Sequence, residues 1–104
     1  MNIVIAGGGV SGQSLAKELS DEGVDIVLIE QDPDLLEKII GRIDIAGVAG
    51  NAASPINLLE AGVKGADIYI SVTSSDEINL ISAIMARSIG AEFTVARVRN
   101  PEYT

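Results

Sequence analysis

"NIVIAGGGVSGQSLAKEL", Asn2 to Leu19, sets four glycines among six positions directly after a run rich in β-branched residues. An ordered glycine costs backbone entropy, so a cluster this dense marks a tight turn or a surface that something must approach closely. Before Gly7 lies a short apolar run; after Gly12, Leu15, Ala16 and Leu19 recur on one helical face. The stretch therefore predicts a strand, a turn and a helix, the opening of a βαβ unit.

The same alternation continues along the chain. Apolar runs predict strands over 2–6, 25–30, 44–49, 66–72 and 93–98, and helical periodicity predicts helices from 12 to 22 and from 33 to 41. Asp32-Pro33 and Ser54-Pro55 each pair a capping residue with a proline at the first helical position. Ser74-Ser75-Asp76-Glu77 has capping-box spacing ahead of the longest helix, where Ile78, Ile81, Met85 and Ile89 form a stripe and Leu80 and Ile84 a second row. Gly23, Gly41, Gly62 and Gly90 are placed to stop the four helices. Because parallel crossovers are right-handed, this order predicts a Rossmann-like, doubly wound α/β fold. Its five parallel strands run in the order 3-2-1-4-5, with helices on both faces.

With 104 residues the chain is expected to be one domain, 1–104, too short to add a substrate domain to a cofactor domain. Hydrophobic residues make up 47% and aromatic residues 3%, the balance of buried aliphatic strands covered by helices. No apolar run reaches the roughly 18 residues that span a bilayer, so no direct membrane insertion is expected and the chain reads as soluble and cytosolic. Cysteine and histidine are absent, which removes disulfides, thiolate nucleophiles and imidazole bases, and leaves only carboxylate-bound Mg²⁺ or Ca²⁺ among common metal sites. A net charge of −8 argues against nucleic acid as a partner. An anionic ligand must then be held by backbone dipoles.

Gly7, Gly9 and Gly12 satisfy G-x-G-x-x-G, a weak pattern on its own. Its context strengthens it: the motif joins a predicted strand to a helix, and the second strand ends in Glu30, eighteen residues after Gly12. Gly7 would allow the turn, Gly9 the approach of a pyrophosphate, and Gly12 the packing of helix on strand, with Gly8, Val10 and Ser11 completing the phosphate loop. Glu30 would accept from the ribose hydroxyls and repel a 2′-phosphate, and neither Gln31 nor Asp32 supplies a compensating cation, so NADP is disfavoured. The alternative is a glycine turn that only packs helix on strand, with Glu30 a solvated acid.

Other strand ends converge on the same crevice. Asn51 and Ala52 could meet an adenine or merely form a helix-entry loop. Thr73 and Ser74 sit at the switch point, and capping the next helix is compatible with lining it. Arg97 and Arg99 alternate on the fifth strand and read as solvated or ion-paired. Asp76 and Glu77 complement a helix dipole rather than form a catalytic pair. No nucleophile has a base beside it.

Taken together, the glycine turn, "IVLIEQD", "VAGNAASPINLLEAGVKGADIYISVTSSDEINL" and "VARVRNPEY" resemble the TrkA N-terminal domain, also called the KTN or RCK (regulator of potassium conductance) domain. The resemblance covers essentially the whole chain. It implies a non-catalytic, cytoplasmic regulatory module that joins a membrane K⁺ transporter or channel subunit at the inner face of the membrane. It also implies a homo-oligomer, dimer or larger, and a ligand that is NAD(H) first, with ADP, ATP or AMP as alternatives. By position, Gly7, Gly9 and Gly12 would face the phosphates, Glu30 the ribose, Asn51 and Ala52 the adenine, and Thr73 and Ser74 the inner wall, with Arg97 near the pocket. Val10 stands where many relatives carry an arginine that reaches a terminal phosphate, which weakens the case for ATP. The chain also stops where relatives continue into a sixth strand and a crossing helix used for dimer contacts. Rival readings are the cofactor half of an NAD-dependent oxidoreductase, a methyltransferase-like fold, and a purely structural assembly module.

Overall fold

The computed structural model describes residues 1–103. Five strands, β1 (Asn2–Ala6), β2 (Asp25–Glu30), β3 (Ala46–Ala49), β4 (Ile68–Ser71) and β5 (Phe93–Ala96), form one sheet in the order β3-β2-β1-β4-β5. Every pairing is parallel, with Ile5 of β1 opposite Leu28 on one side and Ile70 on the other. Four helices connect them: α1 (Val10–Asp21), α2 (Pro33–Ile40), α3 (Pro55–Glu60) and α4 (Asp76–Ile89). A 3₁₀ turn, Pro101–Tyr103, follows β5.

Strand alternation divides the core into two layers. Ile3, Ile5, Ile26 and Leu28 face α1 and α2, packing with Ala16, Leu36 and Ile39. Val4, Ala6, Ile29 and Tyr69 face the other way and pack with Leu58, Ala83 and Ala86 of α3 and α4. The predicted topology is therefore the observed one, and it leaves the carboxyl ends of all five strands along one edge of the molecule.

Three strands are shorter than their apolar runs. The Ile45 N–H donates to the Ile43 carbonyl at 2.9 Å and the Ala66 N–H to the Val63 carbonyl at 3.1 Å, so turns hold residues the pattern assigned to β3 and β4. Past Ala96 the Arg97 N–H still donates to the Ser71 carbonyl of β4 at 2.9 Å, and beyond it the Arg99 and Asn100 N–H groups are tied to Asp76 of α4. Asp32 caps α2 as expected, accepting from the Asp34 and Leu35 N–H groups. Ser54 makes no side-chain cap on α3; there the Asn51 side chain closes the entry turn by accepting from the Ala53 N–H at 2.8 Å. The capping box is displaced by one residue: Ser75 is the cap, accepting from the Ile78 N–H, so no acid completes the box.

The largest departure is on α4. Its buried residues are Asn79, Ser82, Ala83 and Ala86, flanked by Ile78, Met85 and Ile89, whereas Ile81 is 50% and Ile84 70% exposed. Small side chains at 83 and 86 bring this helix close to the sheet. The polar pair at 79 and 82 is buried because it is hydrogen-bonded there: Tyr69 donates its hydroxyl to Ser82 Oγ at 2.8 Å, and Ser71 donates to Asn79 Oδ1 at 2.9 Å. Burial pushes the Tyr69 phenol above its ordinary pKa, with the Ser82 and Ser71 bonds acting in the other direction.

Candidate functional site

A cavity of about 470 Å³ opens at the carboxyl ends of the strands, over the switch between β1 and β4. Doubly wound sheets hold ligands at this place because the connections from neighbouring strands diverge there. Its floor is the glycine turn. Gly7 leaves β1 with φ +110°, a backbone conformation that side chains rarely adopt, and a Cβ there would stand 2.7 Å from the Val72 carbonyl oxygen. A Cβ at Gly12 would overlap the Gly7 carbonyl oxygen, so α1 can begin against its own strand only with glycine at this position. Gly9 differs: its φ is −74° and a Cβ there meets nothing within 4 Å. The chain could carry a side chain at 9; the open space beside it belongs to the cavity wall.

Gly9 is also the N-cap of α1 and offers no side chain to cap it. The N–H groups of Gly9, Val10 and Ser11 donate to nothing among the described residues, and no acid lies in the first turn. They leave a partial positive charge at the cavity floor. Gly8 is held from both sides: its N–H donates to Glu30 Oε1 at 2.8 Å, and its carbonyl accepts from Gln13 Nε2 at 2.8 Å. Arg42 donates in turn to Gln13 Oε1 at 3.1 Å. Glu30 Oε2 accepts from the Asp32 N–H at 2.6 Å, so the carboxylate is fixed at the cavity edge with lone pairs to spare.

Across the cavity, Arg97 bridges β5 to the glycine turn. Its Nη1 donates to Ser11 Oγ and its Nη2 to the Val72 and Thr73 carbonyls, each at 3.0 Å, while its buried Nε has no partner. Neither Arg97 nor Arg99 is ion-paired; the sole ion pair among the described residues is Lys17 with Asp21. The surface or ion-pair reading of Arg97 therefore gives way to a half-buried side chain that closes one end of the crevice. Asp76 accepts from the Arg99 N–H at 3.0 Å and the Asn100 N–H at 2.8 Å, and these two bonds hold its carboxyl below the usual aspartate range. The cavity thus runs from an acid at the end of β2 to two cations just past the end of β5, with N–H donors between.

Of the predicted site residues, Gly7, Gly8, Gly9, Val10 and Ser11 line the cavity, as do Glu30, Gln31, Asn51, Ala52, Thr73, Ser74 and Arg97. Gly12 does not; it lies beneath, between helix and turn. Ala52 is 4% exposed and belongs mostly to the core. The lining also contains Ile29, Leu35, Gly50, Val72, Ser75, Ile78 and Arg99, each adjacent to a strand end or a helix start. Gln13 and Asn79 hold the lining from behind. Gln13 carries no motif signal, and Asn79, although it closes the family-like stretch ending in "DEINL", has no site role in the sequence reading. Among the described residues no group of three or more potential metal ligands comes together, and no helix is long and apolar enough to cross a membrane.

Comparison with known proteins agrees with this geometry. The family model of the TrkA-N domain matches residues 3–104. The Trk system potassium uptake protein TrkA homolog of Archaeoglobus fulgidus is 42% identical over 103 residues, which are 99% of this chain and 23% of that protein. The chain thus spans about a quarter of that relative's length. Among solved structures, the GsuK channel bound to NAD superimposes with a TM-score of 0.83 at 19% identity, over 98% of this chain and 18% of that one. The Shewanella denitrificans Kef CTD in its AMP-bound form gives 0.76 at 23% identity, over 91% and 57%. These two show the fold; the family match and the relative show the lineage. The chain belongs to the TrkA-N domain family.

Proposed function

We propose that this chain is a single nucleotide-binding domain that regulates a potassium transport system without catalysing a reaction. The observation that carries the proposal is the glycine turn: unpaired N–H groups at the start of α1 open onto a cavity whose edge holds a fixed glutamate. That arrangement suits a pyrophosphate at the helix N-terminus and a ribose at Glu30. NAD(H) fits it first, with AMP, ADP and ATP as alternatives, and Glu30 disfavours NADP. The hydroxyls of Ser11, Thr73 and Ser75 in the cavity are bonded to backbone, amide or guanidinium groups rather than to a base, which supports a binding rather than a catalytic role. Family membership supports a membrane K⁺ transporter or channel subunit as partner, with this domain in the cytoplasm at the inner face of the membrane. Mass spectrometry of ligand carried through purification tests the reading: a bound adenine nucleotide is expected, and a bound nucleotide-free metabolite would contradict it.

The exposed isoleucines of α4 support self-association. Ile81 and Ile84 add apolar area to a face that does not touch the sheet, with half-buried Leu80 beside them. Light scattering on the nucleotide-loaded chain is expected to show a dimer or larger assembly, and Leu80→Lys combined with Ile84→Lys is expected to give monomers. A monomeric unmutated chain at high micromolar concentration would remove this part of the proposal.

A further inference from the structure

The wall of the cavity between β4 and β5 is held by a side chain that does not line it. Asn79 is fully buried and uses both ends of its carboxamide. Its Oδ1 accepts from Ser71 Oγ at 2.9 Å, from the Thr73 N–H at 2.9 Å and from Thr73 Oγ1 at 2.6 Å. Its Nδ2 donates to the Thr73 carbonyl at 3.1 Å and to the Arg97 carbonyl at 3.0 Å. One buried amide thereby joins the end of β4 to the end of β5. The Thr73 carbonyl that it engages also accepts from the Arg97 guanidinium, at 3.0 Å, so the same contact sets the bridge that Arg97 makes to Ser11.

Burying these groups is unfavourable unless each is satisfied, and a satisfied network fixes one geometry in place of several. Packing alone would be served by an aliphatic residue at 79. Behind Asn79 the network continues through Ser71 and Ser82, 3.1 Å apart, to the Tyr69 hydroxyl, but only Asn79 reaches the cavity wall. We infer that Asn79 is a positioning residue for nucleotide binding, which touches no ligand and sets the placement of Thr73 and Arg97. This rests on the nucleotide-binding function proposed above.

The test is calorimetric titration of NADH and ADP into the unchanged chain, Asn79→Asp, Asn79→Ser and Ser82→Ala, well below each melting temperature. Asn79→Asp keeps the acceptor oxygen and replaces the donor with an oxygen that faces two carbonyls; Asn79→Ser keeps a hydroxyl but loses the reach to Arg97, and serves if the aspartate variant does not fold. Either is expected to weaken both nucleotides about tenfold, the scale of one or two lost hydrogen bonds. Ser82→Ala removes a hydroxyl buried in the same network that contacts neither Thr73 nor Arg97, and is expected to lower the melting temperature with affinity unchanged. Asn79 variants that bind like the unchanged chain would overturn the inference, as would an affinity loss in Ser82→Ala that matches theirs. An unchanged chain that binds neither nucleotide would overturn the proposed function itself, and the inference with it.

Discussion

Exchanging Gly12 for alanine is expected to collapse the glycine turn, whereas the same exchange at Gly9 is expected to leave the fold intact and remove binding. At Gly12 the added methyl would overlap the Gly7 carbonyl, a backbone atom that cannot turn aside, and Gly7 itself is pressed against Val72. Overpacking of this kind costs about 3 kcal/mol or more, which for a domain of this size lowers the melting temperature by roughly 10 to 25 °C. At Gly9 the backbone is already in a region open to every residue and the Cβ direction is empty, so the melting temperature should move by only about 1 or 2 °C. Under the proposed binding mode, that empty space is where a pyrophosphate would meet the N–H groups of the first turn of α1. Thermal denaturation paired with NADH titration separates the two effects. A Gly9→Ala variant with native affinity would show that the ligand does not approach the main chain there.

Glu30→Ala is expected to weaken NADH about tenfold to a hundredfold, from loss of a charged acceptor worth about 1.5 to 3 kcal/mol. The structure adds a second component to this loss. Glu30 also holds the Gly8 and Asp32 N–H groups, so removing the carboxylate frees the phosphate loop as well as the ribose contact. Glu30→Gln separates the two, because its amide oxygen can still accept from Gly8 while the negative charge that excludes a 2′-phosphate is gone. The expected order of NADH affinity is therefore Glu30, then Gln, then Ala, and NADPH should gain on NADH in both variants. Equal affinity of the unchanged chain for NADH and NADPH, measured by the same titration, would refute the assignment of Glu30 to the ribose.

Most of the architecture was legible because buried parallel strands leave unbroken aliphatic runs and each connecting helix has its own punctuation. "NIVIA" and "DIVLIE" became β1 and β2 to the residue. Strand order followed from handedness, and with it the edge where Glu30, Asn51, Thr73 and Arg97 meet. What hydropathy could not give was α4. Ile81 and Ile84 are exposed while Asn79 and Ser82 are buried, because hydrogen bonds made only in the folded chain reverse their apparent preference. Ser54 makes no side-chain cap for a similar reason: the Asn51 side chain already closes that turn by accepting from the Ala53 N–H. For Arg97 the residue pattern alone points to a surface charge and only the family resemblance points to the pocket, since its acceptors, Ser11 and the Val72 and Thr73 carbonyls, lie 86, 25 and 24 residues away in sequence. Local patterns cannot register contacts across such separations.

The most direct test of nucleotide binding at the glycine turn is amide mapping by two-dimensional ¹H–¹⁵N NMR of the unchanged chain during titration with NADH. The largest shifts are predicted at Gly8, Gly9, Val10 and Ser11, with smaller ones at Gln31, Asn51 and Thr73 around the cavity. No shifts at millimolar NADH, or shifts confined to the separate surface groove lined by Gln13, Ser14, Lys17, Glu18, Arg42 and Ile43, would contradict it.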